Sequence, residues 1–357
     1  MNKTIALVIT LLLTACSSKA PQPKPFENEL YDGRPVETFN SDAAPLTEVE
    51  AIKRGDYALK GNNTDLALYE YIRSLDFPDA QYRDKTLYTI GRIHQSRGNL
   101  ELSEKAYLLA LDANPNNIKV LQQLGSNYTK QGDVEQGESY FIRAINADQL
   151  RLASREKLAL NSVSITAIEQ LSSDNQSPAL AYMGLGILYD VKAKHHVAKA
   201  FYQHALKIEP KSSKALMNMG YSYYMSGEYD NAKRYTVAAL EQDKTNERAQ
   251  NNLALIYLAT GEEQRALNVF MRFMDAPEAL NNVGYFLMLQ GKPEKAIPYL
   301  QQAIDKKPSY YKVANENLER ALLEVRANTS DANSGSAANS GSAANSGSAA
   351  VTTVTTQ

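Results

Sequence analysis

Residues 179–212 read ALAYMGLGILYDVKAKHHVAKAFYQHALKIEPKS, and residues 213–246 read SKALMNMGYSYYMSGEYDNAKRYTVAALEQDKTN. When the two stretches are aligned without gaps, Gly186 falls opposite Gly220, which lies 34 residues further on. Apolar residues recur in both stretches at intervals of three and four, which is the spacing of one face of an α-helix. The sequence therefore predicts the same helical unit twice in succession.

The same register continues through most of the chain. A small residue recurs at the place of Gly186 in six units, as Gly91, Gly125, Gly186, Gly220, Ala254 and Gly284. Seven residues later, a glycine that permits a tight turn follows in five of them, as Gly98, Gly132, Gly227, Gly261 and Gly291. A period of 34 residues is typical of the tetratricopeptide repeat, a helix–turn–helix unit. The chain is therefore predicted to be all-α, with its repeats stacked into a superhelical solenoid.

Seven units are predicted within residues 48–310. Their bounds are 48–81, 84–117, 118–151, 179–212, 213–246, 247–276 and 277–310. Small residues let the two helices of a pair approach closely, while aromatic residues fill the gap between neighbouring pairs. Residues 152–178 do not fit and are expected to form a shortened or distorted repeat. Residues 311–327 are expected to form a capping helix, because the last repeat would otherwise expose its apolar face. The predicted apolar face of that helix consists of Val313, Leu318, Ala321, Leu322 and Val325.

The N-terminal region resembles the signal sequence of a bacterial lipoprotein. An apolar run over residues 5–13 is too short to span a bilayer, and residues 13–16 read LTAC, which resembles a lipobox. The resemblance implies that residues 1–15 are removed and that Cys16 carries lipid. Because Ser17 rather than an aspartate follows, it also implies an outer-membrane anchor with the chain on the periplasmic face of a Gram-negative cell. The alternative is an ordinary secretory signal with an unrelated cysteine.

The regions that flank the array differ from it in composition. Residues 16–47 contain five of the 13 prolines and are expected to form a lipid-anchored, proline-rich spacer. Residues 328–357 contain three copies of Asn-Ser-Gly-Ser-Ala-Ala. Such residues bury too little apolar surface to offset the entropy of ordering, so a disordered tail is expected.

Three successive units carry an asparagine two residues before the small residue, as Asn218, Asn252 and Asn282. In tetratricopeptide families this position faces the concave side, so the amides are expected to pair with the backbone of a bound peptide. Met and Tyr side chains suit such a groove. The predicted peptide-binding residues therefore also include Met217, Tyr221, Tyr224, Leu255 and Tyr285. Met183, Ile187, Met225, Leu258 and Met288 are expected to project towards the same groove. Two alternatives remain: the asparagines hydrogen-bond locally, or some of these side chains pack against a neighbouring helix.

In the predicted units 84–117 and 118–151, the positions that match the predicted groove residues are polar or basic: Lys85, Arg92, Lys119, Ser126 and Lys130. Over the whole chain, however, 38 Lys+Arg and 40 Asp+Glu give a formal net charge of −2. This balance disfavours nucleic-acid binding through a general basic surface.

Catalytic motifs are not found in the sequence. One cysteine and four histidines leave little material for a metal site, and no glycine-rich phosphate loop occurs. His195 and His196 are expected in an exposed turn, and His94 in the core. The sequence therefore predicts a protein that is not an enzyme and has no cofactor, metal or small-molecule substrate.

Residues 251–261, NNLALIYLATG, and residues 281–285, NNVGY, resemble the TadD lipoproteins of tight-adherence (Flp) pilus systems. The resemblance covers most of residues 48–327. It implies a periplasmic adaptor for pilus assembly that helps the secretin channel to reach or form in the outer membrane. Two alternatives are a pilotin of another type IV pilus or secretion system, and a scaffold that recruits cell-wall enzymes.

Overall fold

The computed structural model describes residues 28–35, 39, 44–160, 162–307 and 309–335. All the regular structure in these residues is helical. The sixteen helices are α1 (Glu48–Lys60), α2 (Thr64–Ser74), α3 (Arg83–Ser96), α4 (Leu100–Ala113), α5 (Ile118–Gln131), α6 (Val134–Arg151), α7 (Ile165–Glu169), α8 (Ala179–Val191), α9 (His195–Ile208), α10 (Ser213–Met225), α11 (Tyr229–Gln242), α12 (Glu247–Ala259), α13 (Glu263–Phe270), α14 (Ala276–Leu289), α15 (Pro293–Asp305) and α16 (Lys312–Gly335). The predicted all-α repeat array is confirmed.

The chain divides into two compact units, residues 1–127 and 128–357. In the first unit, α1 packs on α2 and α3 packs on α4. In the second unit, the pairs are α8 with α9, α10 with α11, α12 with α13 and α14 with α15. The first helices of these four pairs also contact one another in sequence, from α8 through α10 and α12 to α14. This row of first helices forms the candidate binding surface.

In four pairs, a bulky side chain of the second helix (Tyr71, Tyr107, Tyr202 or Leu300) lies against the small residue of the first, whereas Gly220 faces the smaller Thr236. A β-carbon built on Gly55 would lie 2.7 Å from the ring of Tyr71, and one built on Gly186 would overlap the ring of Tyr202. The repeat pattern predicts aromatic residues in the gap between neighbouring pairs. Phe141 of α6 does fill such a gap, because its ring lies against Gly184 of α8. Bulky residues therefore fill the space between the two helices of a pair and also the space between neighbouring pairs.

Two turns within pairs use a residue other than glycine at positive φ: Asn62, with φ 58°, between α1 and α2, and Ala193 between α8 and α9. The five predicted turn glycines all adopt positive φ, whereas Ala193, with φ 55°, takes this place between α8 and α9. Helix α9 then begins at His195. The Nδ1–H of the His195 ring donates to Asp190 Oδ1 at 2.9 Å. The prediction that His195 is exposed is wrong, because its side chain packs against Asp190 and is only 17% exposed. His196 is exposed, as predicted.

Tyrosines three residues after the small residue connect neighbouring pairs. The ammonium group of Lys199 lies 4.5 Å from the ring of Tyr223, and that of Lys233 lies 4.9 Å from the ring of Tyr257. Each lysine precedes its tyrosine by 24 residues and belongs to the preceding pair. These cation–π contacts give a reason for the recurrence of an aromatic residue at this position.

Residues 152–178, called the insert here, are held to α6 by side-chain amides. The amide of Asn146 donates to the Leu158 carbonyl at 2.9 Å and accepts from the Leu158 N–H at 2.8 Å. Gln149 pairs in the same way with Ser172, at 2.8 and 3.0 Å. Each amide thus satisfies both backbone groups of one residue, and the insert is a specifically bound loop.

An ion pair and an apolar contact complete this attachment. The guanidinium of Arg151 donates to both carboxylate oxygens of Asp174, at 2.7 and 2.9 Å. Helix α7 lies within the insert and packs on α9, with Ile168 fully buried. The irregular stretch therefore has a defined conformation although it does not repeat the pattern.

Asn146→Ala is expected to loosen the insert. The substitution removes two hydrogen bonds from the backbone of buried Leu158, and each is worth about 1 kcal/mol net. Cleavage by trypsin after Arg155 and Lys157, both exposed, should therefore become roughly tenfold faster or more. Gln203→Ala, an exposed change on α9, should leave the cleavage rate unchanged. Equal rates for Asn146→Ala and the unaltered chain would show that the amide does not hold the loop.

Residues 28–35 lie against the helices of the first unit. Leu30 is buried, and its carbonyl accepts from His94 Nε2 at 2.9 Å. Asp32 accepts from Arg97 at 2.7 Å and from Asn99. Residues 28–35 of the predicted 16–47 spacer therefore fold onto the repeats. The start of the spacer at residue 16 and its end at residue 47 stay predictions. The predicted core position of His94 is confirmed, since the side chain is fully buried.

Helix α16 follows the last pair and contacts both α14 and α15. Among its residues up to 328, for which burial is described, Ala314 and Ala321 are buried, while Val313 and Leu322 are exposed. The prediction that Val313 and Leu322 belong to the covered face is therefore wrong. Within the described part of the chain, no helix is both long and apolar enough to cross a membrane.

Candidate peptide-binding surface

Four neighbouring first helices, α8, α10, α12 and α14, present exposed or half-buried apolar side chains at equivalent positions. The positions are one and five residues after the small residue of each unit, so they lie one above the other on each helix. We call this set the apolar stripe: Ile187, Val191, Tyr221, Met225, Leu255, Ala259, Tyr285 and Leu289. Because each of these helices contacts the next, the stripe runs across four repeats.

Two of the most exposed members were missed in the sequence. Val191 is 71% exposed and Leu289 is 51% exposed. Each lies four residues after a residue that was recognised, Ile187 or Tyr285. The helical i, i+4 spacing was the signal that could have identified them.

The predicted groove residues Leu258 and Met288 do not line a surface. Both belong to the buried core around α12–α16, where they are almost completely covered. Their predicted projection into the groove is wrong, because this position of the repeat is covered by neighbouring helices near the C-terminal end. Tyr224, at the same repeat position in α10, stays half-buried.

The other predicted contact residues occupy the following places. Tyr221, Leu255 and Tyr285 are half-buried members of the apolar stripe. Met217 is only 9% exposed and packs in a cluster with Leu216, Ala239 and Ala249, so it offers a partner little surface. The Tyr224 ring lies 6.5 Å from the Tyr221 ring and 5.9 Å from the Tyr229 ring.

The three asparagines are half-buried on α10, α12 and α14. The side-chain amides of Asn218 and Asn252 make no hydrogen bond to another described residue, whereas Asn282 donates to Met274 Sδ at 3.3 Å. A thioether is a weak acceptor. These amides therefore retain most of their capacity to pair with a ligand.

Asp190, beside the stripe on α8, is engaged by other residues of the chain. Its carboxylate accepts from Ser222 at 2.7 Å, from Tyr202 at 2.8 Å and from His195 at 2.9 Å. Burial, together with the negative charge of Asp190, raises the pKa of Tyr221. The Tyr221 hydroxyl, which is protonated at neutral pH, can donate to a ligand carbonyl.

In the first unit, stripe positions carry polar side chains: Arg92 is exposed and Ser126 is half-buried. Lys85 and Lys119, which lie six residues before the small residue, are exposed as well. Lys130, which belongs to the second unit, is also exposed. Among the described residues, no group of His, Cys, Asp or Glu could hold a metal ion.

The fold and this surface define the chain as a helical-repeat scaffold for protein–protein interaction. One tetratricopeptide repeat model matches residues 84–117, 118–149, 179–212 and 277–310, and a second matches residues 217–273. The chain therefore belongs to the tetratricopeptide repeat family. Domains of this family bind protein or peptide segments.

Several solved structures are similar to the chain. A tetratricopeptide repeat protein from Parabacteroides merdae is 17% identical, with a TM-score of 0.49 over 78% of this chain and 100% of that one. PilF of Pseudomonas aeruginosa is 16% identical, with a TM-score of 0.49 over 63% and 89%. PilW, a type IV pilus biogenesis factor, is 13% identical, with a TM-score of 0.43 over 78% and 100%. The comparison with curated proteins finds no match, so the family assignment rests on the repeat models.

Proposed function

We propose that the apolar stripe and the asparagines beside it bind an extended segment of a partner protein. The observation that carries the proposal is the combination of exposed apolar side chains with unpaired amides on the same row of helices. Exposed apolar patches on soluble proteins commonly mark interaction sites. An amide supplies both a donor and an acceptor, so Asn218 and Asn252 can each pair with a peptide C=O and N–H.

The chain itself contains an example of this recognition. Asn146 and Gln149 each pair with the N–H and the C=O of a single residue in the irregular insert. At Asn218 and Asn252, the same pairing would hold the backbone of a partner protein, as Asn146 and Gln149 hold the backbone of the insert. The apolar stripe would then supply the contacts to its side chains.

We further propose that a lipid on Cys16 tethers the scaffold to the outer membrane. Cys16 and the signal sequence lie outside the described residues, and the support is the LTAC motif at residues 13–16. Several acyl chains anchor a protein stably where one does not. Cys16→Ser should move the protein from the membrane pellet to the soluble periplasmic fraction. Retention of Cys16→Ser in washed membranes would exclude this anchor.

The biological role that we propose is assembly of a tight-adherence pilus, with the secretin or another assembly subunit as the partner. The resemblance of residues 251–261 and 281–285 to TadD lipoproteins supports this role. A tethered scaffold near the outer membrane is suited to guiding a secretin there. Neighbouring genes for a prepilin, a secretin and a secretion ATPase would favour the pilus, and genes for peptidoglycan enzymes would favour the cell-wall scaffold.

The binding surface is tested by Asn252→Ala combined with Tyr224→Ala. This variant should lose at least tenfold in partner recovery by pull-down, and secretin multimers should decrease in cells that carry it. The matched control is Asn328→Ala with Tyr310→Ala, which removes the same residue types at exposed places away from α8, α10, α12 and α14. Unchanged recovery of every envelope partner by the Asn252/Tyr224 variant would refute the proposed surface.

A further inference from the structure

The apolar stripe repeats at the distance between neighbouring helices. Ile187, Tyr221 and Leu255 occupy the same place in three successive repeats, on helices α8, α10 and α12 that contact one another. Packed helices lie about 8–10 Å apart. A ligand that crosses these helices therefore meets an equivalent apolar anchor about every 9 Å.

This spacing distinguishes between ligand conformations. A polyproline II chain rises about 3.1 Å per residue with three residues per turn, so it returns the same face about every 9 Å. A β-strand returns the same face about every 6.7 Å, and an α-helix has a pitch of about 5.4 Å. Polyproline II is therefore the conformation whose period matches the row of helices.

The polar groups near the stripe have the same repeat. Asn218 and Asn252 lie at equivalent places on successive helices, and their amides are unpaired within the described chain. A polyproline II backbone makes no internal hydrogen bonds, so its N–H and C=O groups are free to pair with these amides. One amide would then contact the ligand backbone once per turn.

The charge of the protein beside the stripe indicates which residue types the ligand carries between its apolar residues. Lys214 and Arg248 precede Tyr221 and Leu255 by seven residues, which places them on the same helix face. Both are exposed, and neither forms an ion pair with another described residue. Acidic side chains on that flank of the ligand would complement them.

We propose that the apolar stripe recognises a polyproline II segment with an apolar residue at every third position and acidic residues between them. This assignment rests on the proposed function and specifies the ligand of the same surface. The apolar residues contact the stripe, the backbone of the segment pairs with Asn218 and Asn252, and the acidic residues face Lys214 and Arg248. The non-anchor positions that pair with the amides must not be proline, because proline lacks an N–H.

The test uses the full-length protein in mild detergent and fluorescently labelled synthetic peptides. Three peptides share one composition but place their apolar residues at every third position, at every second position or in scrambled order. Fluorescence anisotropy should show that the period-three peptide binds at least tenfold more tightly than the other two. Equal affinity for the period-two peptide would overturn the assignment.

Variants locate the binding. Leu255→Ser should weaken binding of the period-three peptide by about tenfold, and Lys214→Glu with Arg248→Glu should weaken it further. Leu323→Ser, an exposed apolar change on α16, should leave the affinity unchanged. If Leu255→Ser binds like the unaltered protein, the stripe is not the site and the assignment fails.

Two further results would also overturn it. Binding of a synthetic peptide of residues 17–31 as tight as that of the period-three peptide would make the chain's own proline-rich segment the occupant. If Asn252→Ala with Tyr224→Ala loses its partners in cells while no peptide design is preferred, the ligand assignment fails and the proposed function stands. Failure of the proposed function would instead leave partner recovery unchanged in that variant.

Discussion

Phe141→Ala is expected to lower the free energy of unfolding by about 3–5 kcal/mol, the usual cost of removing a buried phenylalanine ring. Phe141 is 2% exposed, and its ring lies against Gly184 at the junction between α6 and α8. Because each repeat contacts mainly its neighbours, a cavity at one junction weakens the contact between adjoining repeats. Urea denaturation followed by circular dichroism measures the loss. Tyr310→Ala, at an exposed aromatic residue, is the control and should change stability by less than about 0.5 kcal/mol.

A double-mutant cycle makes this test specific to the contact. Gly184→Ala alone should destabilise the protein by about 1–3 kcal/mol, because the new methyl group would overlap the Phe141 ring. In the Phe141→Ala background the ring is gone, and the same change should stabilise by about 1 kcal/mol through better helix propensity. The sign of the Gly184→Ala effect therefore reverses between the two backgrounds. Additive effects would show that the ring does not pack on Gly184.

The fold could be predicted because its determinants are local and repeated. A small residue, a turn glycine and a bulky residue recur in register, and each recurrence of the pattern adds to the assignment. Gly186 and Tyr202 show why the residue types are constrained, since the ring occupies the space that a larger residue would need. The predicted units 84–117, 179–212 and 277–310 coincide with the bounds of the matched repeats.

The binding surface could be predicted only in part, because burial depends on neighbouring repeats. Tyr224, Leu258 and Met288 occupy equivalent positions, and the sequence treats them alike. The structure leaves Tyr224 half-buried but covers Leu258 and Met288 with the core of the last pairs. A helical pattern identifies the apolar side of one helix, but it does not show which other helices cover that side.

Non-repetitive segments were the least predictable, because their contacts are distant in sequence and use polar side chains. Leu158 in the insert is recognised by Asn146, and Leu30 in the predicted spacer is recognised by His94 across 64 residues. No periodicity marks either contact. The prediction of an exposed turn at His195 fails for a similar reason, since the ion pair with Asp190 depends on where α9 begins.

Acidification from pH 6.5 to pH 4 is expected to destabilise the second unit through His204. This side chain is 2% exposed, its ring stacks on that of Tyr182 at 5.2 Å, and it lies on α9, the helix against which α7 packs. Burial, with a smaller contribution from the charge of Lys207, lowers the pKa of His204 to about 4. The unfolded chain keeps a pKa near 6.5 and so binds more protons in this interval. Stability is therefore fully present above about pH 6.5 and falls as the pH drops towards 4, by roughly 3 kcal/mol.

His204→Phe should remove most of this dependence, because phenylalanine keeps a ring against Tyr182 and cannot be protonated. Urea unfolding at a series of pH values would show a shallower slope between pH 6.5 and 4 for His204→Phe than for the unaltered protein. Burial also lowers the pKa of His94, so some dependence should remain in this variant. His196→Gln is the matched control, since His196 is exposed and lies in the first turn of the same helix. If His196→Gln and His204→Phe flattened the slope equally, the dependence would arise from general charge and not from the buried ring.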